Sequence, residues 1–188
     1  IAGAMNIKLT LIALSMAVAS FATAAPINPV IVNGHVTFTQ DGKTLTITNS
    51  PNAIINWSSF SIAQGELVRF LQQSSNSSVL NRITGQDPSV ILGTLQSNGR
   101  VYLINPNGIV FGAGSQINVG GLVASSLAIS NADFLAGNRR FSADGLAGKV
   151  SNQGAITTPS GGQVYLIAPD VNNTGIITTP QGETVLAA

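Results

Sequence analysis

The residues able to do acid–base or metal chemistry are few and dispersed. Seven carboxylates, Asp41, Glu66, Asp87, Asp133, Asp144, Asp170 and Glu183, are spread over 188 residues, with one histidine, His35, and no cysteine. Glycoside cleavage needs two carboxylates held close together, and a calcium-assisted lyase needs a cage of oxygen ligands. No pair of these acids falls in such a motif, and His35 has no Cys or carboxylate cluster at ligand spacing. Gly120-Gly121 and Gly161-Gly162 lie outside any strand–loop–helix pattern, so they read as turn glycines rather than phosphate cradles. No catalytic residue, metal site or cofactor is predicted. The chain offers amide chemistry instead. Asn105-Pro-Asn-Gly108 stands between two apolar, β-prone runs, Val101–Ile104 and Ile109–Phe111. Pro106 fixes its own φ and holds Asn105 extended, while Asn107 and Gly108 suit positive φ. Upstream, Val79-Leu-Asn-Arg-Ile-Thr-Gly85 places Asn81 and Arg82 in a strand that leads to Thr84 and Gly85. Information in both stretches lies in shape and hydrogen bonding.

Composition limits what surrounds them. Charged residues make up 8% of the chain, against about 25% in an average soluble protein. Gly, Asn, Ser, Thr and Gln fill the polar positions, which argues for a turn-rich β protein. Net charge is +1. Without residues 1–24, and so without Lys8, seven basic and seven acidic side chains remain, a neutral balance that carries no footprint for nucleic acid or an anionic membrane.

Residues 5–24 open with Met5-Asn-Ile-Lys8, continue in an apolar run from Leu9 to Ala19, and close on Ala22-Thr-Ala24. A basic start, an apolar run too short to span a bilayer and an Ala-x-Ala ending describe a secretory signal peptide. Cleavage is expected after Ala24, leaving Ala25 at the new terminus. Ile1–Ala4 precede the start Met5 and read as foreign to the native chain. An exported chain without cysteine must take its stability from a regular, extended core.

From Ile27 to Phe70 the pattern is strands and turns. Alternation around Asp41-Gly42 signals a hairpin. Ala53–Ile62 holds the only tryptophan, Trp57, and Gly65–Leu71 reads as a strand. Trp57, Phe60 and Phe70 are expected in the core. Residues 72–78 are polar without apolar period, hence a loop. The second half repeats itself. Asn152-Gln-Gly-Ala-Ile-Thr-Thr-Pro159 recurs as Asn173-Thr-Gly-Ile-Ile-Thr-Thr-Pro180, a displacement of 21. Val164-Tyr-Leu-Ile167 repeats Val101-Tyr-Leu-Ile104 at 63, read as three periods; Leu122 falls one period after Val101, and Val185 one period after Val164. The phase fails only around residues 134–149, where Asn138-Arg-Arg-Phe141 and Asp144-Gly145 suggest an inserted hairpin standing off the main body.

A period near 20 built from short β runs and Gly/Asn turns signals a solenoid with one coil per repeat. The Leu consensus of leucine-rich repeats is missing, so an all-β parallel β-helix fits, with about 21 residues per coil and like residues stacked in ladders. Residues 25–70 are the expected N-terminal β cap that blunts one exposed end, and residues 71–188 the coils. Ending mid-repeat at Val185-Leu-Ala-Ala188, the sequence predicts a longer solenoid.

These motifs together resemble the secretion domain of filamentous haemagglutinin-type exoproteins, the secreted partners of bacterial two-partner secretion. The resemblance rests on the signal peptide, Val79–Gly85, Leu103-Ile-Asn-Pro-Asn-Gly-Ile-Val-Phe-Gly112 and Ala124-Ser-Ser-Leu-Ala-Ile-Ser130, and covers about residues 26–188. Some members carry an earlier Asn-Pro-Asn-Leu motif; here only Ser50-Pro-Asn-Ala53 and Ser75-Asn-Ser-Ser78 are found, as in the adhesin branch. The resemblance implies a right-handed β-helix; the scattered acids argue against an enzyme in this stretch. The resemblance also implies passage through the general export machinery to the periplasm. There the periplasmic domains of a dedicated outer-membrane β-barrel transporter recognise the domain, which folds after crossing. Asn105, Pro106, Asn107, Gly108 and Ile109 are the implied recognition or structural turn, with Asn81, Arg82, Thr84 and Gly85 as a second motif. Adhesion to a host-cell surface would belong to the C-terminal part of the exoprotein. A competing expectation is an adhesive module that binds host glycans directly. It would need exposed aromatics on one face, and two tyrosines and one tryptophan supply little.

Overall fold

A computed structural model describes residues 25–188; the signal-peptide reading, with Ala22 and Ala24, lies outside them. The described chain winds into a solenoid whose coils, from Ser78 to Thr178, lay strands on three sheets in turn. One full coil runs Arg100–Ile104 on the first sheet, Ile109–Phe111 on the third and Gln116–Asn118 on the second, and then re-enters the first at Gly121–Ser125. The first sheet orders Val30–Asn33, Ala53–Trp57, Ser78–Ile83, Arg100–Ile104, Gly121–Ser125, Gln163–Ile167 and Glu183–Ala187. From Ala53–Trp57 onward every neighbour on it is parallel.

The period-2 alternation of strands sorts side chains between two apolar clusters. Ile55, Val79, Val101, Leu103, Leu122, Ala124, Val164 and Leu166 point inward and stack in columns, where they meet Ile109, Phe111, Ile117 and Ile156 from the other sheets. Each Val, Leu, Ile or Phe side chain among them contributes about 1.5–3 kcal/mol by leaving water. Their neighbours Ile54, Leu80, Tyr102, Ile104 and Val123 point outward, yet they too are buried, in a second cluster. A sheet apolar on both faces must be covered on both.

Antiparallel pairing to the solenoid is confined to two strands. Val30–Asn33 pairs with Ala53–Trp57, and Val36–Asp41 pairs with Thr44–Asn49 across the expected Asp41-Gly42 turn. The strands Thr44–Asn49, Ala53–Trp57 and Leu67–Leu71 already stand in the parallel ladders, so the cap is shorter than the 25–70 read from sequence. Trp57, Phe60 and Phe70 are core residues, as expected: Trp57 meets Phe60 edge-on at 5.5 Å and Phe60 stacks on Phe70 at 6.5 Å.

The 63-residue displacement needs correction. Val101 pairs with Leu122 and Leu122 with Val164, so Val101 and Val164 are two coils apart, not three. The second step is 42 residues long because it contains residues 126–149. Val185 is also out of phase: Val164 pairs with Thr184, and Val185 lies beside Tyr165. The inserted stretch does not stand off the body. A helix, α1 (Asn131–Ala136), and a two-residue pairing of Ala128–Ile129 with Phe141–Ser142 lie against the outer cluster. Ser130 caps α1 through the Asp133 amide at 3.0 Å, and Gly137 ends it at φ +75°. Ser-x-x-Asp followed by Gly at C′ is a helix signature that period counting passed over.

The Asn-x-Gly repeats have a mechanism. Asn152 accepts from the Gly154 amide at 3.1 Å and donates to Asn173 on the next coil at 2.9 Å, the first rung of an amide ladder. A Cβ on Gly154 would lie 2.1 Å from Ser115 Oγ, and one on Gly175 2.2 Å from the Gly154 carbonyl oxygen. Coils can approach this closely only at glycine.

Candidate functional site

Asn105–Gly108 is the corner between the first and third sheets. It is a β-turn closed by the Gly108 amide on the Asn105 carbonyl at 3.0 Å. Pro106 and Asn107 both keep negative φ and only Gly108 is positive, at +108°, which is the type I arrangement with Pro at i+1 and Gly at i+3. Asn107 therefore does not serve through left-handed backbone, contrary to the sequence expectation. It serves through its side chain.

The corner is stitched to the one beneath it. Asn105 is fully buried; its Nδ2 donates to the Asp87 carbonyl and to Ser89 Oγ, both at 3.0 Å. Its Oδ1 accepts from the Asn107 amide at 3.0 Å and from Asn107 Nδ2 at 2.9 Å. Asn107 Nδ2 also donates to the Gly85 carbonyl at 2.8 Å. Ile109 is buried between Ser89 and Val150 in the third sheet. Pro106 is the exposed residue of the turn.

The second motif divides. Gly85 joins this corner through its carbonyl, while the Thr84 amide and Oγ1 both donate to the Trp57 carbonyl, at 2.8 and 3.1 Å. A Cβ on Gly85 would fall 2.1 Å from the Ser58 carbonyl oxygen, a backbone atom that cannot swing aside. Gly85→Ala is therefore expected to cost about 3 kcal/mol and to lower the melting temperature by roughly 10 °C, measured by thermal unfolding; an unchanged melting temperature would refute the clash.

Asn81 and Arg82 go elsewhere. Asn81 points into the main core, where it accepts from Trp57 Nε1 at 2.9 Å and donates to the Tyr102 carbonyl at 3.2 Å. Its ladder neighbours are Ile55 and Leu103, so it bridges coils without joining an Asn ladder. Arg82 points outward and donates to Asn131 Oδ1 and to the Ile129 carbonyl, both at 2.7 Å. Burial lowers its pKa, but a guanidinium stays charged at any physiological pH. Ala25, at the expected cleavage site, is half-buried beside the cap. Sequence reasoning missed Gly148 and Lys149, which close over the corner: the Gly148 amide donates to the Pro106 carbonyl at 2.8 Å, and the Ile109 amide to the Lys149 carbonyl at 2.9 Å. The glycine beside a lysine was the only local signal.

The arrangement holds backbone and amide groups in register and offers no nucleophile, base or cation cage. Among the described residues no three His, Cys, Asp or Glu side chains group as metal ligands would. A family model described as TPS secretion domain matches residues 22–188. The chain belongs to that family. Proteins carrying a TPS domain are exported across the outer membrane. The fold is similar to the crystal structure of the HMW1 secretion domain from Haemophilus influenzae, with a TM-score of 0.85 and 42% identity over 87% of this chain and 45% of that one. Two heme/hemopexin-binding proteins of Haemophilus influenzae are 42% identical over 97 residues and 44% identical over 77. Those matches take in 51% and 41% of this chain, but only 11% and 8% of the relatives' own lengths.

Proposed function

We propose that this TPS domain is the N-terminal secretion signal of a larger exoprotein. General export delivers it to the periplasm, and a cognate outer-membrane β-barrel transporter takes it up through its periplasmic domains while it is still open. Once outside, it closes into the solenoid and templates the coils behind it. The carrying observation is the burial of Asn105, with both side-chain atoms committed inside the corner. Such a side chain meets a partner only before the corner closes. Unpaired strands in that state suit strand addition to a partner's sheet edge. The absence of cysteine suits passage in an extended form. Adhesive or ligand-binding activity, including any like that named for the two relatives, is assigned to the remainder of the exoprotein.

The test is secretion of the chain with and without its transporter. Wild type is expected in the medium only when the transporter is present. Asn107→Ala is expected to reduce secretion at least tenfold while costing about 1 kcal/mol of stability, because its half-buried side chain can be lost without emptying the core. Transporter-independent secretion would overturn the proposal and favour a directly adhesive, glycan-binding module. Secretion that falls only in proportion to stability would make the corner purely structural.

A further inference from the structure

Residues 126–149 leave the solenoid between Ser125 and Val150, at the corner that one coil earlier is Asn105–Gly108. They fold back across the outer face of the first sheet. Uncovered, that face would present Leu80, Tyr102, Ile104 and Val123 to water, and a contiguous apolar patch of this kind is rare on a free surface. Ile129 and Phe134 cover it, with the Phe134 ring edge-on to Tyr102 at 5.0 Å.

Both ends of this excursion are held by the two motifs. Arg82 grips the departing end through Ile129 and Asn131. Gly148 seats the returning end on Pro106, and a Cβ there would lie 2.4 Å from the Asn107 carbonyl oxygen. Between the ends the hold is short: a two-residue strand pair, the six residues of α1 with Phe134 buried, and Arg139, which lies over the Tyr165 ring at 4.5 Å and donates to Gln163 Oε1 at 2.8 Å. Leu135 and Leu146 remain exposed. The strands beneath are paired on both sides. A segment with few buried contacts opens separately from a ladder of this kind.

We propose that residues 126–149 form a strap that closes last over the first sheet, with Arg82 and the Pro106–Gly108 corner as its latch, and that its closure ends engagement with the transporter. The second half rests on the secretion-signal reading. While the strap is open, Arg82, the Pro106 carbonyl and the Tyr102 stripe are available together. Closure occupies all three with the chain's own groups, so strap and transporter compete for one surface.

Two experiments separate these parts. In the purified protein, amides of residues 128–148 should exchange with deuterium at least tenfold faster than those of Val101–Ile104 and Leu122–Ala124. Arg82→Ala should speed strap exchange a further tenfold and leave the ladder unchanged. Equal exchange in strap and ladder overturns the strap. In the second, the fraction of full chain co-purifying with its transporter is followed in time for wild type, Arg82→Ala and Phe134→Ala. Both variants should stay bound severalfold longer. Phe134→Ala keeps the Arg82 charge, so agreement between them assigns the effect to the strap. Unchanged residence despite faster strap exchange overturns the release role. Export of wild type without a transporter overturns the secretion-signal reading and the release role together, and the exchange result then decides the strap alone.

Discussion

Trp57→Ala should destabilise the domain by about 3–5 kcal/mol, read by urea denaturation of the purified chain. The indole is 1% exposed and sits between the Phe38 ring at 5.9 Å and the Phe60 ring at 5.5 Å, both edge-on. Removing it opens a cavity at the junction of cap and first coils, where Phe60 and Phe70 cannot collapse without breaking their stack. It also strands Asn81 Oδ1, whose donor is Trp57 Nε1, and an unsatisfied buried acceptor costs about 1–3 kcal/mol. Asn81→Leu alone should therefore be costly, because it leaves the indole N–H unpaired. Trp57→Phe with Asn81→Leu should be less destabilising than the sum of the two, by about 1 kcal/mol. A loss below about 1 kcal/mol for Trp57→Ala would mean that the cap does not depend on this core.

Asn105→Asp should be the most damaging single change at the corner, and its damage should depend on pH. The amide Nδ2 now donates to the Asp87 carbonyl and Ser89 Oγ. An ionised carboxylate there would face a carbonyl oxygen in a buried site, which costs several kcal/mol unless the group takes up a proton. The folded-state pKa of the substituted side chain is thus raised above the unfolded value of about 3.9. Below that value both states are protonated and the acid O–H can replace one donated bond. As pH rises above about 4 the unfolded state ionises first, and stability falls by up to about 1.4 kcal/mol per unit until the folded form ionises too. The stability difference between wild type and Asn105→Asp, measured by denaturant titration from pH 3 to pH 8, should widen with pH. A flat difference would show that the side chain has turned out to solvent. Asn105→Ala should cost about 3 kcal/mol at any pH, since it removes a fully satisfied buried amide and leaves Ser89 and Asn107 short of partners.

The two substitutions probe separate parts of the molecule. Trp57 reports on how the cap is joined to the stack, and Asn105 on whether the corner is closed. On the proposed reading, a chain taken up open and folded afterwards needs the second to be cooperative with the first. The hydrogen bonds from Asn107 to Gly85, and from Thr84 to Trp57, provide that connection through contiguous groups.

Local chemistry was legible in the residues themselves. Strand alternation and glycine turns gave the β solenoid, because a pleat repeats every two residues and the later coils return at close to the same spacing, as in the 21-residue step from Val101 to Leu122. The turn at Asn105–Gly108 was readable from Pro, whose φ is fixed, and Gly, which alone accepts positive φ freely. The aromatic core around Trp57 followed from size and apolarity alone. Tertiary structure decided what no window of sequence contains. Asn107 was expected to supply positive φ, yet it supplies a side-chain amide to a carbonyl 22 residues away. The 63-residue displacement counted the excursion near residues 134–149 as a coil, since an insertion close to one full period in length leaves the phase intact on both sides. Asn81 and Arg82 are adjacent in sequence, but the pleat sends one into the core and the other under the strap. Which groups meet is settled by the stacking of one coil on the next. That stacking depends on loop lengths and on close backbone approaches at glycine, and neither is a property of any short stretch of the chain.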